Sequence, residues 1–252
     1  MKQGRNAPCA CGSGKKTKHC SQSIGEHYPS APPAELNQLI ALFHAGRYAE
    51  MESRARQLVE RYPDSGIAWK LFGTALGVQG RDALSALQQA AALLPEDIEI
   101  HINLGNVLQD LGQADGAILS YRCALELNPH IAEVHNNLGN ALKELGQLDA
   151  AVTSYRRALS IKPQYVEAYN NLGVALKEMG RNDDAVASFR RALEINPNFT
   201  EVYGNLGNAL KNLGQFDAAL ASFRRALEIQ PDRAETHNNL GAALEAFGQN
   251  DD

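Results

Sequence analysis

The chain repeats one pattern of apolar and polar positions every 34 residues over most of its length. In the stretch "EVHNNLGNALKELGQLDAAVTSYRRALSIKP", apolar and small residues fall at helical spacing in two blocks. Leu138 and Leu142 belong to the first block, and Tyr155 and Ala158 belong to the second. Each block predicts a helix with one apolar face. Every period is therefore predicted to be a pair of helices joined by a turn.

Prolines and glycines mark the boundaries within each period. Prolines recur at positions 63, 95, 129, 163, 197 and 231, and glycines follow the same steps at 73, 105, 139, 173, 207 and 241 and at 80, 112, 146, 180, 214 and 248. The proline is predicted to end the second helix, and the later glycine to form the turn inside each pair. A fixed period of this length is typical of a solenoid, in which each repeat packs on its neighbours.

The earlier glycine, at 139 and its equivalents, falls in the middle of the first helix. Glycine there costs about 1 kcal/mol relative to alanine, so its recurrence needs a packing reason. We expect it to let the paired helices approach closely, together with the small residues Ala151 and Ala158. The aromatic residue at 121, 155, 189 or 223 is expected to fill the space between neighbours.

These landmarks resemble those of the tetratricopeptide repeat family, and "AYNNLGVALKEMGRNDDAVASFRRALEINP" has all the small and large positions of its motif. The resemblance implies an all-α fold, a right-handed superhelical solenoid of helix-turn-helix repeats. Residues 34–65 are interpreted as a degenerate capping repeat and residues 66–248 as the array, whose last repeat is incomplete. The repeat that begins at Gly66 is two residues short between Gly80 and Ala83, which predicts a tightened turn.

Composition and charge argue against two classes of protein. The net charge of −5 combines five basic residues and no acid within residues 1–20 with about −10 on the remainder, so a uniformly basic nucleic-acid surface is not expected. No apolar run approaches the roughly 18 residues needed to span a bilayer, and the N-terminus lacks the apolar core of a signal peptide. We therefore expect a soluble, cytoplasmic protein.

Three of the four cysteines lie in the stretch "CACGSGKKTKHC" near the N-terminus. A phosphate loop does not fit, because Cys9 occupies the first glycine position and Lys15 is followed by a second lysine instead of serine or threonine. A thioredoxin-like redox pair needs two residues between its cysteines, whereas Cys9 and Cys11 have one. Zinc fits better, because Gly12 and Gly14 permit a tight reversal that lets the thiolates converge.

The stretch "GRNAPCACGSGKKTKHCS" resembles the SEC-C motif, a short zinc-binding module. The resemblance assigns residues 1–24 to this motif, with a linker over residues 25–33, and implies zinc as the cofactor. Three of the family's ligand positions match cysteines of this sequence: Cys9, Cys11 and Cys20. Ser21 stands at the fourth, so His19 is the nearest substitute. The alternative is a degenerate tail that binds no metal.

Asparagine, a poor residue for a helix interior, recurs on the first helix of successive repeats. It occupies the sixth position of that helix in five repeats and the position one turn later in three: Asn103, Asn137, Asn171, Asn205 and Asn239, then Asn106, Asn140 and Asn208. In this repeat family the first helices line the concave surface, so the resemblance implies an asparagine-lined groove. Amide groups there are expected to pair with the backbone of an extended polypeptide. The alternative is a solvated polar residue that duplication has copied.

The asparagine hypothesis includes an expectation about stability. Alanine is the better helix former, so replacing Asn137, Asn171 and Asn205 together with alanine is expected to preserve or raise helix stability. The same change is expected to weaken the capture of unstructured polypeptide. Other recurring groups receive plainer interpretations: His101, His135 and His237 as packing residues, the repeated Glu and Lys positions as a solvated charged face, and the Arg-Arg pairs as second-helix surface.

These residues contain no catalytic constellation, and the favoured function is a protein-interaction scaffold that binds proteins or extended peptides, with a zinc module at its N-terminus. The alternative is the substrate-recruiting part of a bacterial enzyme, because the repeats also resemble those of O-linked N-acetylglucosamine transferases. The catalytic domain of such an enzyme is absent from this sequence. The chain stops after a first helix, with residues 249–252 as a truncated end. We expect either a fragment of a longer protein or self-association through that end.

Overall fold

The structure is a computed structural model and describes residues 30–248. The predicted zinc ligands Cys9, Cys11, His19 and Cys20 and the truncated end at residues 249–252 lie outside the described residues. The described part consists of thirteen α-helices without a strand, which confirms the all-helical solenoid of helix pairs. The described part of the chain divides into two compact units, residues 30–129 and residues 130–248.

The bounds of the helices follow the predicted pairs. The first unit contains α1 (Pro33–His44), α2 (Tyr48–Arg61), α3 (Gly66–Val78), α4 (Leu84–Leu93), α5 (Ile98–Asp110) and α6 (Ala114–Leu127). The second unit contains α7 (Ala132–Glu144), α8 (Leu148–Ile161), α9 (Val166–Glu178), α10 (Asn182–Ile195), α11 (Thr200–Asn212), α12 (Phe216–Ile229) and α13 (Ala234–Gly248). The odd-numbered helices are the first helices of their repeats, and the even-numbered helices are the second helices.

A glycine in the left-handed backbone region forms the turn inside each complete pair, as predicted. Its φ lies between 66° and 75° at six positions: Gly46, Gly80, Gly112, Gly146, Gly180 and Gly214. A side chain at this φ would be strained, which explains why only glycine occurs there. Gly248, the last member of the series, lies inside α13 instead of in a turn.

Four of the mid-helix glycines lie directly against the aromatic residue of the same repeat. A Cβ atom placed on Gly139 would be 2.5 Å from Cε1 of Tyr155, and one placed on Gly173 would be 2.5 Å from Cε1 of Phe189. Equivalent contacts occur at Gly105 with Tyr121 and at Gly207 with Phe223. These four aromatic side chains are fully buried. The glycine therefore permits the close approach of the paired helices, which confirms the predicted packing reason.

The shortened repeat loses residues from its second helix and not from its turn. Gly80 keeps the left-handed φ of the other turns. The second helix, α4, begins at Leu84, four residues after this glycine, and it is 10 residues long, whereas α6 is 14 residues long. The Asp82 carboxylate accepts a hydrogen bond from the Leu84 N–H at 3.0 Å. The expectation of a tightened turn was wrong, because a helix can shorten while the glycine turn keeps its geometry.

Within the second unit, the first helices form a continuous layer. Each of α7, α9 and α11 contacts the next first helix along the chain, and each second helix packs between the first helix of its own repeat and that of the next. Among the described helices of this unit, no second helix contacts another. We call the surface formed by the outward side chains of α7, α9, α11 and α13 the first-helix face.

Candidate functional site

The asparagines at the fifth and sixth positions of the first helices join successive repeats of the second unit. The Asn171 side chain donates a hydrogen bond to Oδ1 of Asn136 at 3.0 Å, and Asn205 donates in the same way to Oδ1 of Asn170 at 3.0 Å. Asn170 in turn donates to a carboxylate oxygen of Glu201 at 3.0 Å. Asn136 and Asn170 are buried. We call this series of contacts the asparagine ladder, and it holds neighbouring first helices in register.

A second set of asparagines accepts hydrogen bonds from buried tyrosines. The Tyr155 hydroxyl donates to Oδ1 of Asn140 at 2.8 Å, and the Tyr121 hydroxyl donates to Oδ1 of Asn106 at the same distance. Burial, with the nearby Glu178 and Glu144 carboxylates, raises the pKa of Tyr155 far above its ordinary value, so the hydroxyl keeps its proton. These amides therefore stabilise the core of their own repeats.

Three of the predicted groove asparagines keep their amides available. The side chains of Asn103, Asn208 and Asn239 form no hydrogen bond with any residue between 30 and 248. Asn208 occupies the position of Asn140 but lies in the repeat that has Phe223 in place of the tyrosine, so no hydroxyl reaches it. Asn137 is engaged with another group. The structure thus divides the predicted groove residues into structural amides and available ones, a division that the sequence pattern did not show.

Lysines form a row along one edge of the first-helix face. Lys143, Lys177 and Lys211 lie in the last turns of α7, α9 and α11, where a cation is favourable at a helix C-terminus. All three are half-buried, and none forms an ion pair within the described residues. Glutamates occupy the first turns of the same helices, with Glu133 paired to Lys162 at 2.8 Å. The face is therefore polarised along the helices, with glutamates in the first turns and the three lysines in the last turns.

In α3, α5, α11 and α13, the side chain of the fourth residue is hydrogen-bonded to the carbonyl oxygen of the proline that precedes the helix. Nε2 of His101 is 2.8 Å from the Pro95 carbonyl oxygen, and Nε2 of His237 is 2.8 Å from that of Pro231. Trp69 and Tyr203 donate to the equivalent carbonyls of Pro63 and Pro197. Tryptophan, tyrosine and histidine interchange here because each offers an N–H or O–H donor, a signal in the sequence that our interpretation missed. His101 is buried, as predicted for a packing residue, whereas His237 is exposed, so its contact is the hydrogen bond to Pro231 and the packing prediction was wrong for it.

Within residues 30–248, no three His, Cys, Asp or Glu side chains converge as a metal site. No helix in this part of the chain is both long and apolar enough to cross a membrane.

The second arginines of the Arg-Arg pairs are exposed and pair locally, for example Arg191 with Glu194 and Arg225 with Glu228. Each pair lies within one turn of its own helix, so these ions stabilise the helix surface and do not converge on the first-helix face.

Comparison with known families decides the identity of the repeats. A sequence model of the TPR repeat matches residues 110–146, 139–180 and 207–248, and two further tetratricopeptide repeat models match residues 166–199 and 188–221. Together they match more than half of the chain. The chain belongs to the tetratricopeptide repeat family. A search of curated proteins found no match.

Solved structures with the same tetratricopeptide repeat fold include MamA, which is 28% identical with a TM-score of 0.61 over 65% of this chain and 96% of MamA. MamA from Desulfovibrio magneticus RS-1 is 19% identical with a TM-score of 0.63, over 67% of this chain and 97% of that one. YrrB, described as a TPR protein with an unusual peptide-binding site, is 22% identical with a TM-score of 0.62, over 73% and 96%. These comparisons do not show the SEC-C motif or the resemblance to O-linked N-acetylglucosamine transferases, so both stay predictions.

Proposed function

We propose that this protein is an interaction scaffold that binds extended polypeptide along the first-helix face of residues 130–248. The observation that carries the proposal is the row of three lysines without ion-pair partners among the described residues, next to the available amide of Asn208. Membership of the tetratricopeptide repeat family and the peptide-binding site described for YrrB support the same class of function. Asn171 and Asn205 are engaged in the asparagine ladder, so they contribute mainly by holding the face in register, and Asn137 is engaged with another group.

The repetition of the face favours a ligand in extended conformation. Packed helix axes lie about 8–10 Å apart, and an extended chain advances about 3.3 Å per residue, so about three ligand residues would pass each repeat. A carboxylate recurring at this interval would meet one lysine after another. Available amides beside the row can pair with backbone N–H and C=O groups of any sequence. The proposed ligand is therefore an acidic, unstructured segment.

A titration with a matched control tests this proposal. The ligand is fluorescently labelled reduced and carboxymethylated α-lactalbumin, an acidic unfolded polypeptide. In one variant, glutamine replaces the three lysines of the row: Lys143, Lys177 and Lys211. In the control, glutamine replaces three exposed second-helix arginines that form no ion pair among the described residues: Arg156, Arg190 and Arg224. Both variants lose the same charge.

We expect the lysine variant to bind about tenfold more weakly, since three charge contacts of about 0.2–1 kcal/mol each are lost. The arginine control should change affinity by less than twofold at the same ionic strength. Equal weakening in both variants would show that overall charge, and not the first-helix face, controls binding.

We further propose that the N-terminal segment binds zinc through Cys9, Cys11 and Cys20 with His19 as the fourth ligand. The chemistry of this donor set supports the proposal, because three thiolates and an imidazole are a common set for structural zinc. Such a module would give the scaffold a second contact surface.

A further inference from the structure

A cavity of about 260 Å³ opens between α3 and α5 in the first unit. Three aliphatic side chains line it together with a hydroxyl, two amides and a carboxylate: Val78, Leu87 and Val107, then Thr74, Asn103, Asn106 and Asp110. It lies on the side of the repeats formed by the first helices. None of its lining residues belongs to the lysine row or the asparagine ladder.

The cavity exists because this repeat lacks two groups that fill the same space in the next one. In the next repeat, Tyr121 packs on Gly105 and its hydroxyl reaches Gln109 at 3.0 Å. In the repeat that contains the cavity, Leu87 packs on Gly73 in the place of the tyrosine. The leucine side chain is shorter and does not reach the space that the tyrosine hydroxyl occupies in the next repeat. Gly77, at the position of Gln109, has no side chain, and a Cβ atom built on it would meet only Ala83, at 4.0 Å.

The rim of the cavity offers two polar groups that have no partner within residues 30–248. The Asn103 amide forms no hydrogen bond with the described residues, and the exposed Asp110 carboxylate forms no ion pair with them. The Thr74 hydroxyl is already used, since it donates to the Lys70 carbonyl at 2.8 Å. An amide that can pair with peptide backbone therefore lies beside an apolar recess, and a lone negative charge lies at its edge.

We infer that this cavity is a side-chain pocket for an extended polypeptide, which inserts one aliphatic side chain between Leu87 and Val107. A lysine or arginine next to that side chain pairs with Asp110, and the peptide backbone pairs with Asn103. At about 260 Å³ the cavity is smaller than a typical small-molecule pocket of about 300–1,000 Å³, which favours a single side chain over a free ligand as its occupant. The inference rests on the proposed peptide-binding function, and it adds a site in the first unit for a ligand segment different from the acidic one proposed for the lysine row.

Methyl NMR titrations with three synthetic peptides test the pocket. The parent peptide is acetyl-Gly-Ser-Leu-Lys-Ser-Gly-amide, and the other two carry alanine in place of leucine or glutamate in place of lysine. The signals observed are the methyl groups of Val78, Leu87 and Val107. We expect the leucine peptide to shift these signals and to bind about tenfold more tightly than the alanine peptide, as expected for burial of the extra methyl groups. The glutamate peptide should bind more weakly than the parent.

Three variants separate the contributions. Leu87→Phe restores an aromatic side chain of the kind that Gly173 accommodates with Phe189, and Gly77→Leu fills the recess from α3; each should abolish the preference for leucine over alanine. Asp110→Asn should keep that preference and lose the preference for lysine over glutamate. If one filling variant fails to fold, the other still tests the pocket.

Two results would overturn the inference: equal affinity of the wild-type protein for the leucine and alanine peptides, or no shift at the three methyl-bearing residues. If either occurs while the protein still binds carboxymethylated α-lactalbumin, the pocket is wrong and the scaffold function stands. If the wild-type protein binds neither the peptides nor the unfolded polypeptide, both proposals fail.

Discussion

The side-chain amide of Asn205 donates a hydrogen bond to Oδ1 of Asn170, which lies one repeat earlier and is 5% exposed. The packing of α9 on α11 shields Oδ1 of Asn170 from water, and the hydrogen bond from Asn205 takes the place of one to water. An asparagine on the surface of a repeat helix thus has a structural role that its position in one helix does not reveal.

Replacing Asn205 with alanine should therefore destabilise the protein, contrary to the expectation from helix propensity. The change leaves Oδ1 of Asn170 without its donor, a cost of about 1–3 kcal/mol, and the better propensity of alanine recovers less than about 0.7 kcal/mol. We expect the free energy of unfolding, measured by urea denaturation, to fall by about 1–2 kcal/mol. Asn208→Ala, on the same helix but without a hydrogen bond in the described structure, is the control and should be neutral or slightly stabilising.

Gly204 interrupts the asparagine ladder and offers a way to extend it. It occupies the position of Asn170 one repeat later, and a Cβ atom built there would have no neighbour within 4 Å. Asparagine at this position should accept from Asn239 and donate to Glu235, as Asn170 does with Asn205 and Glu201.

We expect Gly204→Asn to raise the free energy of unfolding by about 1 kcal/mol, from one or two new hydrogen bonds and the replacement of a helix glycine. A double-mutant cycle with Asn239→Ala isolates the ladder contribution. A coupling energy below about 0.3 kcal/mol would contradict the bond between repeats and leave helix propensity as the whole effect.

Gly139→Ala and Gly241→Ala should have effects of opposite sign. Both glycines hold the same position in their first helices, where alanine is favoured by about 1 kcal/mol. At Gly139 the new Cβ atom would lie 2.5 Å from the Tyr155 ring, whereas at Gly241 it would have no neighbour within 4 Å. Overpacking of this kind costs about 1–3 kcal/mol, so we expect thermal unfolding at a lower temperature for Gly139→Ala and at an equal or higher one for Gly241→Ala. A stabilising effect at both sites would rule out the proposed close packing of glycine on the aromatic ring.

The helix pairs, their turns and their glycine contacts were predictable because each depends on residues within one 34-residue period. The ladder was not, since Asn171 and Asn136 are 35 residues apart and only the packing of one repeat on the next brings them together. The available amide of Asn208 likewise depends on Phe223, which has no hydroxyl to offer. The position of the deletion near Gly80 was misjudged because the sequence does not reveal whether a turn or a helix absorbs it. Pattern within a repeat predicted the fold, while contacts between repeats decided which site residues are available.

The proposed zinc module predicts about one zinc ion per purified chain, measured by elemental analysis after expression with added metal. Changing Cys9 and Cys11 to serine should remove the metal, and the far-ultraviolet circular dichroism should hardly change, because the described helices lie outside residues 1–29. His19→Ala should weaken zinc binding if histidine is the fourth ligand, and Ser21→His should tighten it. A wild-type protein without zinc would contradict the proposal.

The most direct test of the scaffold function is to locate bound polypeptide by photocrosslinking. The photoreactive residue p-benzoylphenylalanine is placed either at Lys177 on α9 or at Arg190 on α10, the first and second helices of one repeat, and the protein is irradiated with labelled carboxymethylated α-lactalbumin. A ligand that follows the first-helix face should crosslink strongly from position 177 and only at background level from position 190. Equal crosslinking from the two positions, or crosslinking from position 190 alone, would contradict the proposed function.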